Sequence, residues 1–241
     1  MRDLQRWWTH LRQGVRQLLT HDAAEAEPGL YTYRIALEGG QRRIHLRIEP
    51  DGAGVLFVDV NDVIHLNTTA AEMAKLALDG VPLGDAERRL ERRFRGASED
   101  ALTHDLAEIY AMVERLRSLD PECPTCAVAD RLDFQPVFST PVNAPFKADL
   151  ALTYACNNAC SHCYNEPERI GMDSMSLGDW RRVLDILAQI GVPHVIITGG
   201  EPTLHPDLPA IIRYADGLGQ IVGMNTNGRR LADRERMAAL A

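Results

Sequence analysis

Three cysteines fall within eight residues, Cys156-x-x-x-Cys160-x-x-Cys163, directly behind a strand-like run ending in Leu152-Thr153-Tyr154. No other feature restricts the fold as much. A loop that gathers three thiols needs a rigid element to deliver it, and the chain around it supplies one. Apolar runs predict strands over 148–154, 194–198 and 220–225, separated by helix-period stretches over 177–190, 207–218 and from Arg229 onward. Repeated β-α units imply parallel strands joined by crossover helices. The five cysteines, at 123, 126, 156, 160 and 163, are odd in number, crowded into one stretch and preceded by no signal-peptide segment. That usage argues for metal binding over a disulfide framework.

Protein-bound [4Fe–4S] clusters usually take four thiolates. Three closely spaced cysteines in one loop can bind three corners of a cubane and leave one iron open to an exogenous ligand. That open iron turns an electron carrier into a site for chemistry. The competing readings are a chance cluster and a zinc site, for which His162 inside the loop would be an awkward fourth ligand. Two further turns follow at matching places. Val195-Ile196-Ile197-Thr198 runs into Gly199-Gly200-Glu201-Pro202, where glycines let backbone approach a ligand and Glu201 places a carboxylate where it can meet an ammonium. Taken alone, that tetrapeptide is a turn. The third strand runs into Asn225-Thr226-Asn227-Gly228, which by itself reads as an Asn-Gly turn.

CxxxCxxC behind a first strand, followed one β-α unit later by Gly-Gly-Glu-Pro, resembles the radical S-adenosylmethionine (SAM) superfamily. The resemblance implies a partial TIM-type barrel of six β-α units with a [4Fe–4S] cluster on Cys156, Cys160 and Cys163. It implies SAM as cosubstrate, bound through Gly199, Gly200, Glu201 and Pro202, with Glu201 near its amino group. Thr226 or Asn227 would touch the methionine or ribose, and His162 takes the position, usually aromatic, near adenine. Tyr164 and Asn165 follow in the manner of CxxxCxHCYN members. An electron donor such as flavodoxin or ferredoxin is implied as well, together with hydrogen abstraction from a substrate by a 5′-deoxyadenosyl radical.

The front of the chain reads differently. Residues 1–21 have helical spacing, with Leu4, Trp7, Trp8, Leu11, Val15, Leu18 and Leu19 on one stripe and Arg2, Arg6, Arg12 and Arg16 largely outside it. Such a helix packs on its own domain, lies on a membrane surface or docks a partner. A polar stretch to Gly29 completes this first segment, 1–29. Period-two patterning then predicts two hairpins: Tyr31–Leu37 with Ile44–Ile48 around Gly39-Gly40, and Val55–Val58 with Val63–Leu66 around Val60-Asn61-Asp62. Three helices follow, one opening on a Thr69-x-x-Glu72 capping box and stopping at Gly80, one over 85–95, one over 99–119. Hairpins and three helices make a small winged-helix-like α+β domain over 30–119. The stretch Val55–Gly80, with His65-Leu66-Asn67-Thr68-Thr69-Ala70 at its centre, resembles the PQQ-biosynthesis chaperone D family, the RiPP recognition element. That resemblance implies a precursor (leader) peptide as partner, added as a strand to the sheet edge.

Residues 120–146 hold five prolines between 121 and 145 and read as a linker; its Cys123-Pro-Thr-Cys126 suits one edge of a zinc or auxiliary iron–sulfur site, or a pair of unligated thiols. Net charge is −8, and the residues up to Asp120 and those after it each carry −4. Arg88, Arg89, Arg92, Arg93 and Arg95 form a local basic run, but Glu87 and Glu91 interleave with it. A solvated helix face accounts for the run, an acidic leader peptide is a second occupant, and no nucleic-acid partner is expected. No apolar run is long enough to span a bilayer, so a cytoplasmic protein without a transmembrane segment is expected. Only 78 residues follow Cys163, room for about three β-α units over 147–241. The chain is therefore expected to be a fragment, or to be completed by a partner, before it turns over substrate. A peptide-modifying enzyme is the leading expectation. An enzyme acting on a small molecule or tetrapyrrole, and a non-catalytic peptide chaperone, are the alternatives.

Overall fold

A computed structural model of the chain describes residues 26–37, 40–59, 62–94, 98–117, 143–165, 167–169 and 171–240. The chain divides into two units, Met1–Pro141 and Val142–Ala241. The helix expected over 1–21 and the pair Cys123/Cys126 lie outside the described residues.

In the first unit the alternating apolar runs form an antiparallel sheet ordered β1 (Gly29–Leu37), β2 (Gly40–Ile48), β3 (Gly54–Val58), β4 (Asp62–Leu66). Gly40 pairs with Leu37 and belongs to the strand, not to the turn expected at Gly39-Gly40. At the end of β3 the chain turns through Asp59, whose φ is 51°. Its carboxylate accepts the Arg43 N–H at 3.0 Å and Arg42 Nε at 3.1 Å, bonds that hold this uncommon backbone in place. Ile44, Leu46 and Ile48 point to one face, as period two requires, and pack against the helices. The other face of β2 is not left to water: His45 and Arg47 are buried, Arg47 pairing with Glu49 at 2.8 Å and lying over the Phe57 ring at 5.5 Å.

Three helices follow, α1 (Thr68–Leu78), α2 (Leu83–Arg93) and α3 (Glu99–Arg117). Ala71, Ala74, Ala77 and Leu78 of α1 and Met112, Val113 and Leu116 of α3 close the core over the sheet. The capping box expected at Thr69/Glu72 does not form. Asn67 is the N-cap, its Oδ1 accepting the Ala70 N–H at 2.8 Å, and both threonines that follow it are already helical. Glu72 instead pairs with Arg93 of α2 at 3.1 Å, which takes that arginine out of the solvated run, while Arg88, Arg89 and Arg92 stay exposed. Asn67→Ala should therefore cost about 1 kcal/mol in urea unfolding of the chain. Thr69→Ala should cost a few tenths, the reverse of what a box at Thr69 would give.

The second unit is a parallel sheet in the order β5 (Lys147–Thr153), β6 (His194–Gly199), β7 (Ile221–Met224). Helix α4 (Leu177–Gln189) connects β5 to β6, and α5 (Leu208–Gly217) connects β6 to β7. A short helix α6 (Arg234–Leu240) follows β7. Helix α4 starts where Ser176 and Asp179 bond reciprocally, the Asp179 N–H donating to Ser176 Oγ (3.2 Å) and Oγ to the Asp179 carboxylate (2.6 Å). Trp180, Leu184, Leu208, Ile211 and Ala215 from α4 and α5 meet Leu150, Leu152, Val195 and Ile197 from the strands in one core. All three strands end on the same side of this unit, where the cysteine loop and the two turns emerge.

Candidate functional site

The register of β5 on β6 slips between Ala151 and Thr153, so the cysteine loop leaves an irregular strand end paired with Gly199. The loop is zipped onto the following turn by backbone bonds. The Gly200 N–H donates to Thr153 O at 2.7 Å and the Glu201 N–H to Ala155 O at 2.8 Å. This approach explains both glycines. A Cβ on Gly199 would stand 2.2 Å from Thr153 O, and one on Gly200 2.4 Å from Ala155 O. The glycines expected to admit a ligand thus admit the root of the cysteine loop.

Glu201 sits at the centre of these contacts. Its side chain is wholly buried, and both carboxylate oxygens are used within the protein. Oε1 accepts the Thr203 N–H (3.0 Å), Thr203 Oγ1 (2.5 Å) and Thr226 Oγ1 (2.7 Å), and Oε2 accepts the Asn227 N–H (2.8 Å). The carboxylate that the sequence suggested for an external ammonium is the hub joining the turn after β6 to the turn after β7. Burial works against its charge, yet the hydroxyls of Thr203 and Thr226 and the N–H groups of Asn227 and Thr203 outweigh burial. Together they hold the carboxyl below the usual carboxylate range. Pro202 is buried and opens a short 3-10 turn, Pro202–Leu204.

Of the residues singled out in the sequence, Gly199, Gly200, Glu201, Pro202, Thr226 and Asn227 converge with Cys156, Cys160 and Cys163 at the carboxyl end of the sheet. Cys156 is half-buried, Cys160 and Cys163 are exposed, and all three are free thiols. His162 stands exposed beside them. The Asn158 N–H faces Cys156 Sγ at 3.4 Å, and the Cys163 N–H donates to Cys160 O at 3.2 Å, which folds the loop back on itself. Asn165 closes it: Nδ2 donates to Gly199 O at 2.7 Å, while the exposed Tyr164 keeps its hydroxyl 3.2 Å from Thr198 Oγ1. Four contributors were not singled out as site residues from the sequence, namely Asn157, Asn158, Thr203 and Arg229. Thr203 carries the faintest signal, a hydroxyl two residues past the carboxylate; the other three are polar residues without a pattern of their own.

A loop of three free thiols and two further turns thus emerge at the same end of the parallel sheet, and residues 150–241 match the Radical SAM superfamily. The cofactors of that superfamily are a [4Fe–4S] cluster and SAM. The chain is 46% identical over 84 residues to a probable GTP 3′,8-cyclase of Methanopyrus kandleri, covering 35% of this chain and 27% of the relative. It is 42% identical over 99 residues to a PqqA peptide cyclase of Rhodopseudomonas palustris, covering 40% and 26%. The chain thus spans about a quarter of the length of these curated relatives. A crystal structure of Streptococcus suis SuiB bound to precursor peptide SuiA is similar with a TM-score of 0.48 and 18% identity, over 86% of this chain and 45% of that one. The donor set fits the cluster: three thiols accessible on one short loop, one already receiving an N–H···S contact, with no disulfide among them. No helix among the described residues is long and apolar enough to cross a membrane.

Proposed function

We propose that this chain is part of a radical SAM enzyme that modifies a ribosomally synthesised precursor peptide by hydrogen abstraction. The observation that carries the reading is the convergence of the three-thiol loop with the Glu201-centred turns at one end of the parallel sheet. Cys156, Cys160 and Cys163 would hold the cluster. When bound, cluster and SAM supply a one-electron cleavage of the sulfonium carbon–sulfur bond, yielding methionine and a 5′-deoxyadenosyl radical that takes a hydrogen atom from substrate.

The protein's part is to bind and orient. Glu201 fixes Thr226 and Asn227 against the turn Gly199–Pro202, so both turns present backbone of set geometry beside the thiols. SAM would lie along them, with His162 and Tyr164 as exposed rings at the loop's rim. The parallel unit is read as the first three β-α units of a partial TIM-type barrel. The four-stranded unit with its three helices is read as a winged-helix-like leader-binding domain, in which the precursor peptide pairs with a sheet edge. A flavodoxin- or ferredoxin-type protein would supply the electron. The peptide cyclase relative supports a peptide substrate. The GTP cyclase relative, of higher identity, favours a second reading, in which the same chemistry acts on a small molecule.

In the enzyme of which this chain is a part, anaerobic loading with iron and sulfide, reduction, and addition of SAM should yield 5′-deoxyadenosine, and a precursor peptide should raise the yield several-fold. Deoxyadenosine formation indifferent to peptides but stimulated by a nucleotide would move the assignment to the second reading.

A further inference from the structure

A separate set of contacts joins the turn after β7 to the cysteine loop. Asn227 Nδ2 donates to Asn157 Oδ1 at 2.8 Å. Arg229 Nη1 donates to Asn157 O at 3.2 Å and to Asn158 Oδ1 at 2.8 Å. Asn157 and Asn158 lie between the first two cysteines, and Asn158 is the residue whose N–H faces Cys156 Sγ. The strut is itself oriented. Asn227 Oδ1 accepts the Arg229 N–H at 3.1 Å, while Gly228 between them takes the left-handed conformation, φ 74°, that a glycine adopts without strain. An exposed arginine on a surface loses side-chain entropy when it is held in one geometry; here it is held by two acceptors on a single loop.

We propose that Arg229, seated by Asn227, is a positioning residue for the cluster loop: it holds the Asn157–Asn158 segment and sets a fixed positive charge beside the thiolates. The inference rests on the cluster reading above. A cluster ligated by three thiolates becomes more negative on reduction, so a cation held beside its loop favours the reduced form. Removing the arginine loosens the loop and makes reduction harder. Arg229 reaches both acceptors through the single nitrogen Nη1, so a lysine, whose ammonium also carries several donors on one nitrogen, restores the charge.

The test loads the full chain anaerobically as wild type, R229A, R229K, N158A and C156A. It follows iron release to a chelator and, by electron paramagnetic resonance, the reduced-to-oxidised ratio at one fixed potential. R229A and N158A should release iron about tenfold faster, as loss of an outer-shell partner does at metal sites. R229A should lower the reduced-to-oxidised ratio roughly two- to fivefold, and R229K should restore it. N158A removes an acceptor without touching the turn after β7, so it tests the strut even where R229A perturbs folding. R229A and N158A indistinguishable from wild type in iron release, with an unchanged ratio in R229A, would overturn the strut and leave the cluster reading intact. Wild type taking up no more iron than C156A would overturn the cluster reading and the strut with it.

Discussion

Cys156→Ala is expected to reduce iron uptake on anaerobic loading from roughly four atoms per chain to less than one, while the far-ultraviolet circular dichroism and the unfolding midpoint stay as in wild type. The three thiols are the strong iron donors of the loop, and two of them cannot hold a cubane whose fourth corner must stay open. The fold has little stake in the sulfur. Cys156 is only half-buried in a loop, and alanine removes one long N–H···S contact at 3.4 Å. Cys160→Ala and Cys163→Ala should behave alike, since both side chains are exposed. His162→Ala should keep its iron; a loss there as large as at the cysteines would favour the zinc reading, in which the imidazole is a ligand.

Glu201→Gln is expected to destabilise the chain by about 2–3 kcal/mol near neutral pH, measured by urea unfolding. The carboxylate satisfies four donors, three on Oε1 and one on Oε2, because both of its oxygens accept. The amide has one accepting atom, and its NH2 must face either the Asn227 N–H or the group formed by Thr203 and Thr226. Two donors meet in a buried place, which is costlier than a missing bond. The difference should depend on pH with a definite sign. The folded carboxyl titrates below its unfolded value, so the stability it contributes is complete above the unfolded pKa of about 4.3 and is lost as pH falls through the lower folded value. The gap between wild type and Glu201→Gln should therefore begin to narrow as pH falls below about 4 and close only beneath the lower folded value. A gap that stays constant through this acid range would mean the carboxylate charge is not what the turns rely on.

How much of this could be read in the sequence follows from what each element depends on. Among the described residues the strands and helices appear within a few residues of where the apolar period predicts them, because one buried face per element is a local property; the last helix starts at Arg234, after a 3-10 turn over Arg229–Ala232, and not at Arg229. The cysteine loop is legible as a loop for the same reason, since the apolar run before it ends at Tyr154 and three thiols follow within eight residues. Partner choice was not legible. Asn67 and Thr69 are both good caps two residues apart, and Glu72 was equally able to close a box or to pair with Arg93; packing of α2 decided for the pair. That Thr203, Thr226 and Asn227 surround Glu201 from two different turns is not legible either, because the sequence does not show which turns the sheet brings together. Arg229 reaches the loop across some seventy residues and belongs to no pattern until the sheet brings β5 and β7 to either side of β6. Burial of the second face of β2 is not legible, because His45 and Arg47 occupy positions that alternation assigns to solvent.

The most direct test of the central claim is the electron paramagnetic resonance spectrum of the loaded, reduced chain before and after SAM is added. A [4Fe–4S]+ signal is expected whose shape changes when SAM takes the open iron, and which is absent in Cys156→Ala. A reduced-cluster signal that SAM leaves unaltered, or iron bound equally without Cys156, would contradict that claim.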